Sequence, residues 1–278
     1  MKRAELFTIS SPAKLERLQA GLDAARDAGF ELGEVPDCIH SAGYLAGDDD
    51  ARAQSLRRAL ASKEADFAWA IRGGYGAART PLPGAELLRD GNTVLGFSDL
   101  TYLLAIVHAA GGQAIHGPVL TSYADADEPS RQALNAALAG EPRRWQLQTT
   151  DGKAQLGAAP VIGGNLAVLA TLLGTQHCPQ FAGHYVVLED VGEAHYRLDR
   201  ALNHLLRASD LSQAKGIILG HFVHCPEGAA PLMERLVRAH QIPCWTHAPV
   251  GHGHENHAFI WGEQASIDGV GQMVLHGS

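Results

Sequence analysis

The segment Phe67-Ala68-Trp69-Ala70-Ile71 runs without a break into Arg72-Gly73-Gly74-Tyr75-Gly76. An apolar run with no alternating polar positions reads as a strand buried on both faces, and such strands belong to parallel sheets covered by helices. The glycines that follow admit positive φ and turn backbone N–H groups toward a ligand. The flanking sequence fits the same plan. Glu5–Ile9, Thr93–Phe97 and Ala114–Ile115 are predicted strands. Ala13–Ala28, with Leu15, Leu18 and Leu22 on one face, Ala51–Ser62 and Leu100–Ala110, with Leu103, Leu104 and Val107 on one side, are predicted helices. Strand and helix alternate, as in a parallel α/β sheet.

The texture changes near Gly140–Pro160. Trp145–Thr150 alternates like an exposed strand, and Asp151-Gly152 and Gly157–Pro160 look like turns. The expected organisation is therefore an N-terminal α/β domain over 1–145, a linker over 146–160 and a C-terminal domain over 161–278. The second half carries predicted strands at Tyr185–Leu188, Gly216–Leu219 and Cys244–Thr246. Its predicted helices are Leu166–Leu173, Tyr196–Ala208 and Ala230–His240.

Composition excludes several classes. The chain has 278 residues and a formal net charge of −8, with no run of Lys or Arg, so a phosphate backbone is a poor partner and no nucleic acid is expected. Cys38, Cys178, Cys225 and Cys244 are scattered and form no CxxC pair, which suits reduced thiols and a cytoplasmic location. The N-terminus has Glu5 and polar residues where a signal peptide needs an apolar stretch, and nothing approaches the roughly 20 apolar residues of a membrane span. No membrane is expected as a partner.

Several turns could carry chemistry, and each also has a plain structural reading. The Arg72–Gly76 turn lacks the third glycine of a dinucleotide fingerprint, because position 79 is Arg79, and no Gly-Lys-Ser/Thr follows to make a phosphate loop. Val161-Ile162-Gly163-Gly164-Asn165-Leu166 fits glycines for close backbone packing with Asn165 near a helix cap. Thr93-Val94-Leu95-Gly96-Phe97 leads directly into Ser98-Asp99-Leu100-Thr101, so the Ser98 hydroxyl leaves a buried strand where a helix begins, with the Asp99 N–H beside it. That is the placement of a nucleophile with an oxyanion donor, although Ser98 or Asp99 capping the helix explains the same residues. Leu100 stands where GxSxG would have its second glycine, which weakens an α/β-hydrolase assignment.

A serine nucleophile needs a base and an orienting carboxylate. Tyr185–Leu188 ends in Glu189-Asp190, acids at a strand's carboxyl end; capping the next turn or pairing with Arg197 or Arg200 is the structural reading. Gly251-His252-Gly253-His254-Glu255-Asn256-His257 offers imidazoles in a loop. His252-x-His254-x-x-His257 also resembles the zinc-binding run of metallo-β-lactamase-like hydrolases, but with Asn256 in place of the aspartate and too close to the C-terminus for later ligands. No metal and no cofactor is expected.

In order along the chain, Arg72–Gly76, Gly96–Thr101, Gly163–Leu166, Leu188-Glu189-Asp190-Val191-Gly192-Glu193 and Gly251-His252-Gly253 together resemble the LD-carboxypeptidase family. Tyr196–Arg200 and Gly216–Gly220 extend the resemblance, which spans about Phe7 to Gly271. That family comprises cytoplasmic murein tetrapeptide carboxypeptidases and relatives conferring immunity to microcin C. The resemblance implies an α/β fold of two domains, the N-terminal one a parallel-sheet α/β domain and the C-terminal one β-rich, with the active site in the cleft between them. It further implies a triad of Ser98 as nucleophile, His252 as general base and Glu189 as its orienting carboxylate. The N–H groups of Asp99 and Gly74 would form the oxyanion hole.

The reaction so implied is hydrolysis of the bond between the L-centre of a diamino acid and a terminal D-alanine in a murein tetrapeptide or muropeptide, through an acyl-enzyme on Ser98. The substrate's terminal carboxylate needs a cation or a nest of N–H groups, and Arg72, Arg79 and Arg197 are candidates. A microcin C immunity-type hydrolysis of aminoacyl-nucleotide amides is the alternative, with a zinc metallohydrolase behind it. A homodimer is the family expectation.

Overall fold

The apolar runs of the first half become parallel strands of one sheet, and the amphipathic stretches between them become helices. In chain order the elements are β1 (Arg3–Phe7), α1 (Leu15–Asp27), β2 (Glu31–Leu32), β3 (Ser41–Ala42), β4 (Leu45–Ala46), α2 (Asp49–Ala61), β5 (Phe67–Ala70), β6 (Thr93–Gly96), α3 (Thr101–Ala109), β7 (Gln113–His116) and α4 (Leu120–Tyr123). The computed structural model describes residues 2–37, 40–84, 87–88, 91–149 and 156–277. It divides the chain into two units, Met1–Ala126 and Asp127–Ser278. In the first, consecutive strands β7-β6-β5-β1-β2 pair in parallel throughout, and β3 and β4 form a separate antiparallel ribbon. The carboxyl ends of β1, β5 and β6 therefore lie side by side.

The core of this unit centres on Trp69, fully buried, with the rings of Phe30, Phe67 and Tyr123 packed around it and its indole N–H donating to the Pro118 carbonyl at 2.9 Å. Helix α2 starts where Asp48 accepts a hydrogen bond from the Ala51 N–H, an N-cap of the kind that offsets one orphaned donor. On α1, Leu18 and Leu22 are buried as expected, whereas Leu15 is 66% exposed. It sits at the helix's first position, before the apolar stripe has turned inward.

The second unit contains α5 (Glu128–Leu138), β8 (Arg143–Gln146), β9 (Gln148–Thr149), β10 (Leu156–Asn165), α6 (Leu166–Thr171), β11 (Tyr185–Val191), α7 (His195–Ala208), β12 (Gly216–Val223), α8 (Ala229–Ala239), β13 (Cys244–Thr246), β14 (Phe259–Ile260), β15 (Gln264–Ile267) and β16 (Gln272–Leu275). Its sheet has the order β8-β16-β15-β10-β11-β12-β13-β9. The pairs from β10 to β13 are parallel, and the outer pairs are antiparallel. Helix α7 buries Leu198, Leu202 and Leu205, one stripe at helical spacing. Fully burying a leucine contributes about 1.5–3 kcal/mol.

The junction departs from the sequence expectation. The break falls after Ala126, and the stretch expected as a linker over 146–160 supplies strands of the second unit. β8 pairs with β16 and β9 with β13, and Leu156–Pro160 is the first half of β10, paired with β15. Gly157 and Pro160 look like turn residues, but this half of β10 runs beside a single short partner through an irregular register, where a proline's missing N–H is tolerated. Residues 150–155 lie outside the described residues. Among the described residues, Cys178, Cys225 and Cys244 are not in disulfides, and no helix is long and apolar enough to cross a membrane.

Candidate active site

Ser98 follows β6 at once, as the sequence predicts, and its backbone is unusual. Phe97 is fully extended, and Ser98 then takes φ +64°, the left-handed region that costs an L-residue about 1–2 kcal/mol. A 3-10 turn over Ser98–Leu100 leads into α3. The N-cap positions of that turn and of α3 fall on Phe97 and Leu100, and neither makes a side-chain cap hydrogen bond. Gly96 is required by close approach, since a Cβ there would meet Leu100 Cβ at 2.9 Å and Ala70 Cβ at 3.4 Å. The strained turn is thus held by packing beneath it.

Asp99 acts as a clamp. Its carboxylate, nearly buried, accepts from Ser10 Oγ at 2.6 Å and from the Ala77 N–H at 2.9 Å, which ties the serine turn to the end of β1 and to the glycine turn after β5. Burial raises its pKa, against the lowering effect of those two donors. The glycine turn comes directly against the serine: a Cβ on Gly73 would lie 3.0 Å from Ser98 Cβ and 3.2 Å from its Oγ. Gly74, at φ +112°, has Ser11 Oγ where its Cβ would be. Three strand ends, β1, β5 and β6, therefore gather their turns around Ser98.

The three arginines suggested for a terminal carboxylate are differently placed. Arg72 donates to the Pro12 carbonyl, Arg79 makes a two-oxygen ion pair with Asp49, and Arg197 pairs with Glu193.

In the second unit Glu189 and His252 meet. The fully buried Glu189 carboxylate lies 2.7 Å from His252 Nδ1 through Oε2, and Asn165 Nδ2 donates to its Oε1 at 3.4 Å. Glu189 sits near the end of β11, in register with Asn165 at the end of β10. His252 comes from the loop after β13. That loop is fixed by the His221 N–H donating to the Val250 carbonyl, by Asn256 Oδ1 accepting from the Gly251 N–H, and by Gly251 itself, whose φ of +158° and closeness to His221 Cβ leave no room for a side chain. Burial pulls the imidazole's pKa down, but the charge and hydrogen bond of Glu189 and the charge of Asp190 outweigh it, so the net shift is upward. A His Nδ1 held by a carboxylate leaves Nε2 to work as a base, the arrangement of a catalytic dyad.

The rest of the run does different things. Glu255 lies 2.9 Å from His221 Nε2 of β12, the backbone carbonyl of His254 accepts from the Asp127 N–H, and burial lowers the pKa of His257. Among the described residues no group of three or more His, Cys, Asp or Glu side chains could hold a metal ion.

Sequence reasoning placed the structural role of Gly163 and Asn165 correctly. A Cβ on Gly163 would run into the Val187 carbonyl oxygen at 2.1 Å, and Asn165 caps α6 by accepting from the Val168 N–H at 3.0 Å. It missed the second role of Asn165 toward Glu189 and the part played by Ser10. It also missed α5, whose N-cap Asp127 accepts from the Ser130 N–H, and whose Ser130 Oγ accepts from the Asn256 N–H at 2.8 Å. The Asp127-Glu128-Pro129 start, a capping acid followed by a proline in the first turn, is the signal that could have found that helix.

A two-unit α/β chain with a strained serine at a strand end and a buried Glu–His pair has the parts of a serine hydrolase. Comparison with known proteins is consistent with that class: the LD-carboxypeptidase N-terminal domain model matches residues 5–117, and the C-terminal domain model matches 158–267. The chain belongs to the LD-carboxypeptidase family. A murein tetrapeptide carboxypeptidase of Pseudomonas aeruginosa is 37% identical over 248 residues, 81% of this chain and 80% of that one. A putative carboxypeptidase of Synechocystis is 32% identical over 97% of this chain and 93% of its own. Among solved structures, muramoyltetrapeptide carboxypeptidase from Oxalobacter formigenes matches with a TM-score of 0.88 at 22% identity, covering 99% of each chain. The microcin C7 self immunity protein MccF, in complex with aspartyl sulfamoyl adenosine, matches with a TM-score of 0.85 at 18% identity, over 100% of this chain and 96% of that one. The two solved structures speak to the fold.

Proposed function

We propose that this protein is a serine carboxypeptidase that removes the terminal D-alanine of murein tetrapeptides, cutting its bond to the L-centre of the diamino acid. The observation that carries the reading is the buried Glu189–His252 hydrogen bond at 2.7 Å, together with a serine held at positive φ on a strand end. The 37% identity to a murein tetrapeptide carboxypeptidase supports the substrate class.

Ser98 Oγ attacks the scissile carbonyl as His252 Nε2 takes its proton. Glu189 holds Nδ1–H and stabilises the imidazolium that forms. The oxyanion is met by the N–H of Asp99 and one from the Gly73-Gly74 turn, of which Gly74 is the candidate. The protonated His252 then gives its proton to the departing D-alanine nitrogen. Water, deprotonated by the same imidazole, opens the Ser98 ester and releases the tripeptide. Arg72 is the candidate for the substrate's free carboxylate, which requires it to exchange the Pro12 carbonyl for the ligand. No cofactor enters these steps.

The test is D-alanine release from L-Ala-γ-D-Glu-meso-diaminopimelate-D-Ala, followed by mass spectrometry for wild type and Ser98→Ala, with and without EDTA. Release by wild type that survives EDTA and vanishes in the variant is expected. Release abolished by EDTA would replace the serine mechanism with a metal. Absence of release, with cleavage of aspartyl sulfamoyl adenosine instead, would establish the immunity-type reading that the likeness in fold to MccF keeps in play.

A further inference from the structure

Next to Glu189 the chain buries a second carboxyl for which the mechanism above has no use. Asp190 is 2% exposed. Its Oδ1 accepts from Asn165 Nδ2 at 2.9 Å and from the Val191 N–H at 2.8 Å, and its Oδ2 accepts from the Ala167 N–H at 3.0 Å. The same Asn165 Nδ2 reaches Glu189 Oε1. One amide group thus bridges two neighbouring buried carboxyls, while its own oxygen caps α6. Successive residues of a regular strand point to opposite faces, yet here both acids share one donor. The register of β11 against β12 shifts between Leu188 and Asp190, an irregularity of the kind that re-aims a side chain.

Burying two adjacent carboxylates is unfavourable unless the arrangement is used or strongly compensated. Three donors hold Asp190, and among the described residues no ion pair to it is found: Arg197, which lines a cavity of about 470 Å³ that Asp190 borders, is paired with Glu193. We propose that Asp190 is a positioning residue for the acid–base pair, holding Asn165 against Glu189 and adding a second negative charge to the field at the His252 ring. As an imidazolium forms in the reaction, two carboxylates rather than one face it, and the gain is made in the transition state. The proposal rests on Glu189 and His252 acting as the dyad.

The groups around Asp190 define how it titrates. Glu189 and Val191 flank it on β11, Asn165 and the Ala167 N–H face it from β10 and α6, and Cys225 feels its charge from the segment after β12. Glu193, Arg197, Arg200 and His204 line the cavity that it borders. Burial and the charge of Glu189 raise its pKa to about 6, against the donors that lower it. Asp190 therefore ionises within the range in which an imidazole titrates.

The deciding experiment is an NMR titration of the His252 ring in the full-length wild-type protein, beside the pH profile of kcat/KM for wild type and Asp190→Asn. In wild type the ring resonances should carry two inflections, one from the imidazole and one near pH 6 from Asp190. Removing the charge should lower the His252 midpoint and move the acid limb of the profile to lower pH by about half a unit or more. The loss should appear in kcat, with KM nearly unchanged. A single His252 inflection in wild type, or an Asp190→Asn profile with its limb unmoved, overturns the proposal. Should the variant not fold, the wild-type titration alone decides. The titration needs no turnover, so its outcome is separate from that of the D-alanine assay.

Discussion

Around Ser98 the chain builds with backbone. One residue is forced to φ +64°, Gly73 lies flush against the serine, and Gly96 lets Leu100 close beneath the turn. Around His252 it builds with side chains: a buried Glu189, an Asn165 bridge, an Asp190 behind it and a loop tied down by Asn256. On the proposed mechanism, the difference follows from what each region must hold. A nucleophile needs a direction, and direction is set most rigidly by dihedral angles and missing Cβ atoms. A base needs a proton affinity and a tautomer, which are set by neighbouring charge and hydrogen bonds. The serine turn should therefore fail by steric change, and the histidine pair by electrostatic change.

The comparison can be broken at several points. The largest effect that the proposed mechanism requires is loss of chemistry on truncating Ser98, Glu189 or His252. Ser98→Ala, Glu189→Ala and His252→Ala should each lower kcat by at least about 10³-fold, and a Ser98→Ala enzyme that keeps its rate in the D-alanine assay would refute the mechanism. Next comes backbone closeness outside the chemistry. Gly163→Ala must place a Cβ against the Val187 carbonyl and should cost on the order of 3 kcal/mol, measured by urea unfolding. Gly73→Ala separates direction from stability. Its Cβ must displace Ser98 by a few tenths of an ångström, so kcat should fall roughly tenfold while the melting temperature barely moves.

The electrostatic side is sharpened by pH. With the pKa of His252 raised, the acid limb of kcat/KM should have its midpoint above the ordinary imidazole value of about 6.5. The stability contributed by the His252–Glu189 pair has the opposite sense. It is present in full below that ordinary value and is lost as pH rises through the raised pKa. The smallest effect belongs to the strained residue. Ser98→Ala retains the left-handed strain and Ser98→Gly relieves it, so the glycine variant should be the more stable of the two inactive proteins by about 1 kcal/mol in thermal unfolding.

Much of this was legible from residue pattern. Buried parallel strands announce themselves as unbroken apolar runs, and β5, β6, β11 and β12 were found that way. Their carboxyl ends carry Gly73, Ser98 and Glu189, so the candidate residues followed from the strands. Three features were hidden. Strands β15 and β16 are short, and each pairs on one side with a strand more than 100 residues away in the chain, β10 and β8, which no local window reads. Gly157 and Pro160 were mistaken for punctuation because a proline beside an irregular ladder has the same letters as a turn. Asp190 resembled a cap because only the shift in register at the end of β11 brings it to the same donor as Glu189.

The pairing of β8 with β16 has a consequence for how the chain acquires its shape during synthesis. Arg143 lies opposite Leu275 and Gln146 opposite Gln272, so β8 waits for a strand more than 120 residues further along the chain. The parallel pairings of β1 with β2 and β5, of β5 with β6 and of β6 with β7, by contrast, all lie within Met1–Ala126 and can form while the rest is still being made. Until β16 emerges, β8 and β15 both offer open edges, the surface on which nascent chains associate wrongly. Ribosome-stalled chains ending before Gln272 should accordingly show a protease-resistant first unit and a sensitive second one. Equal resistance in both would show that the second sheet does not need its late strand.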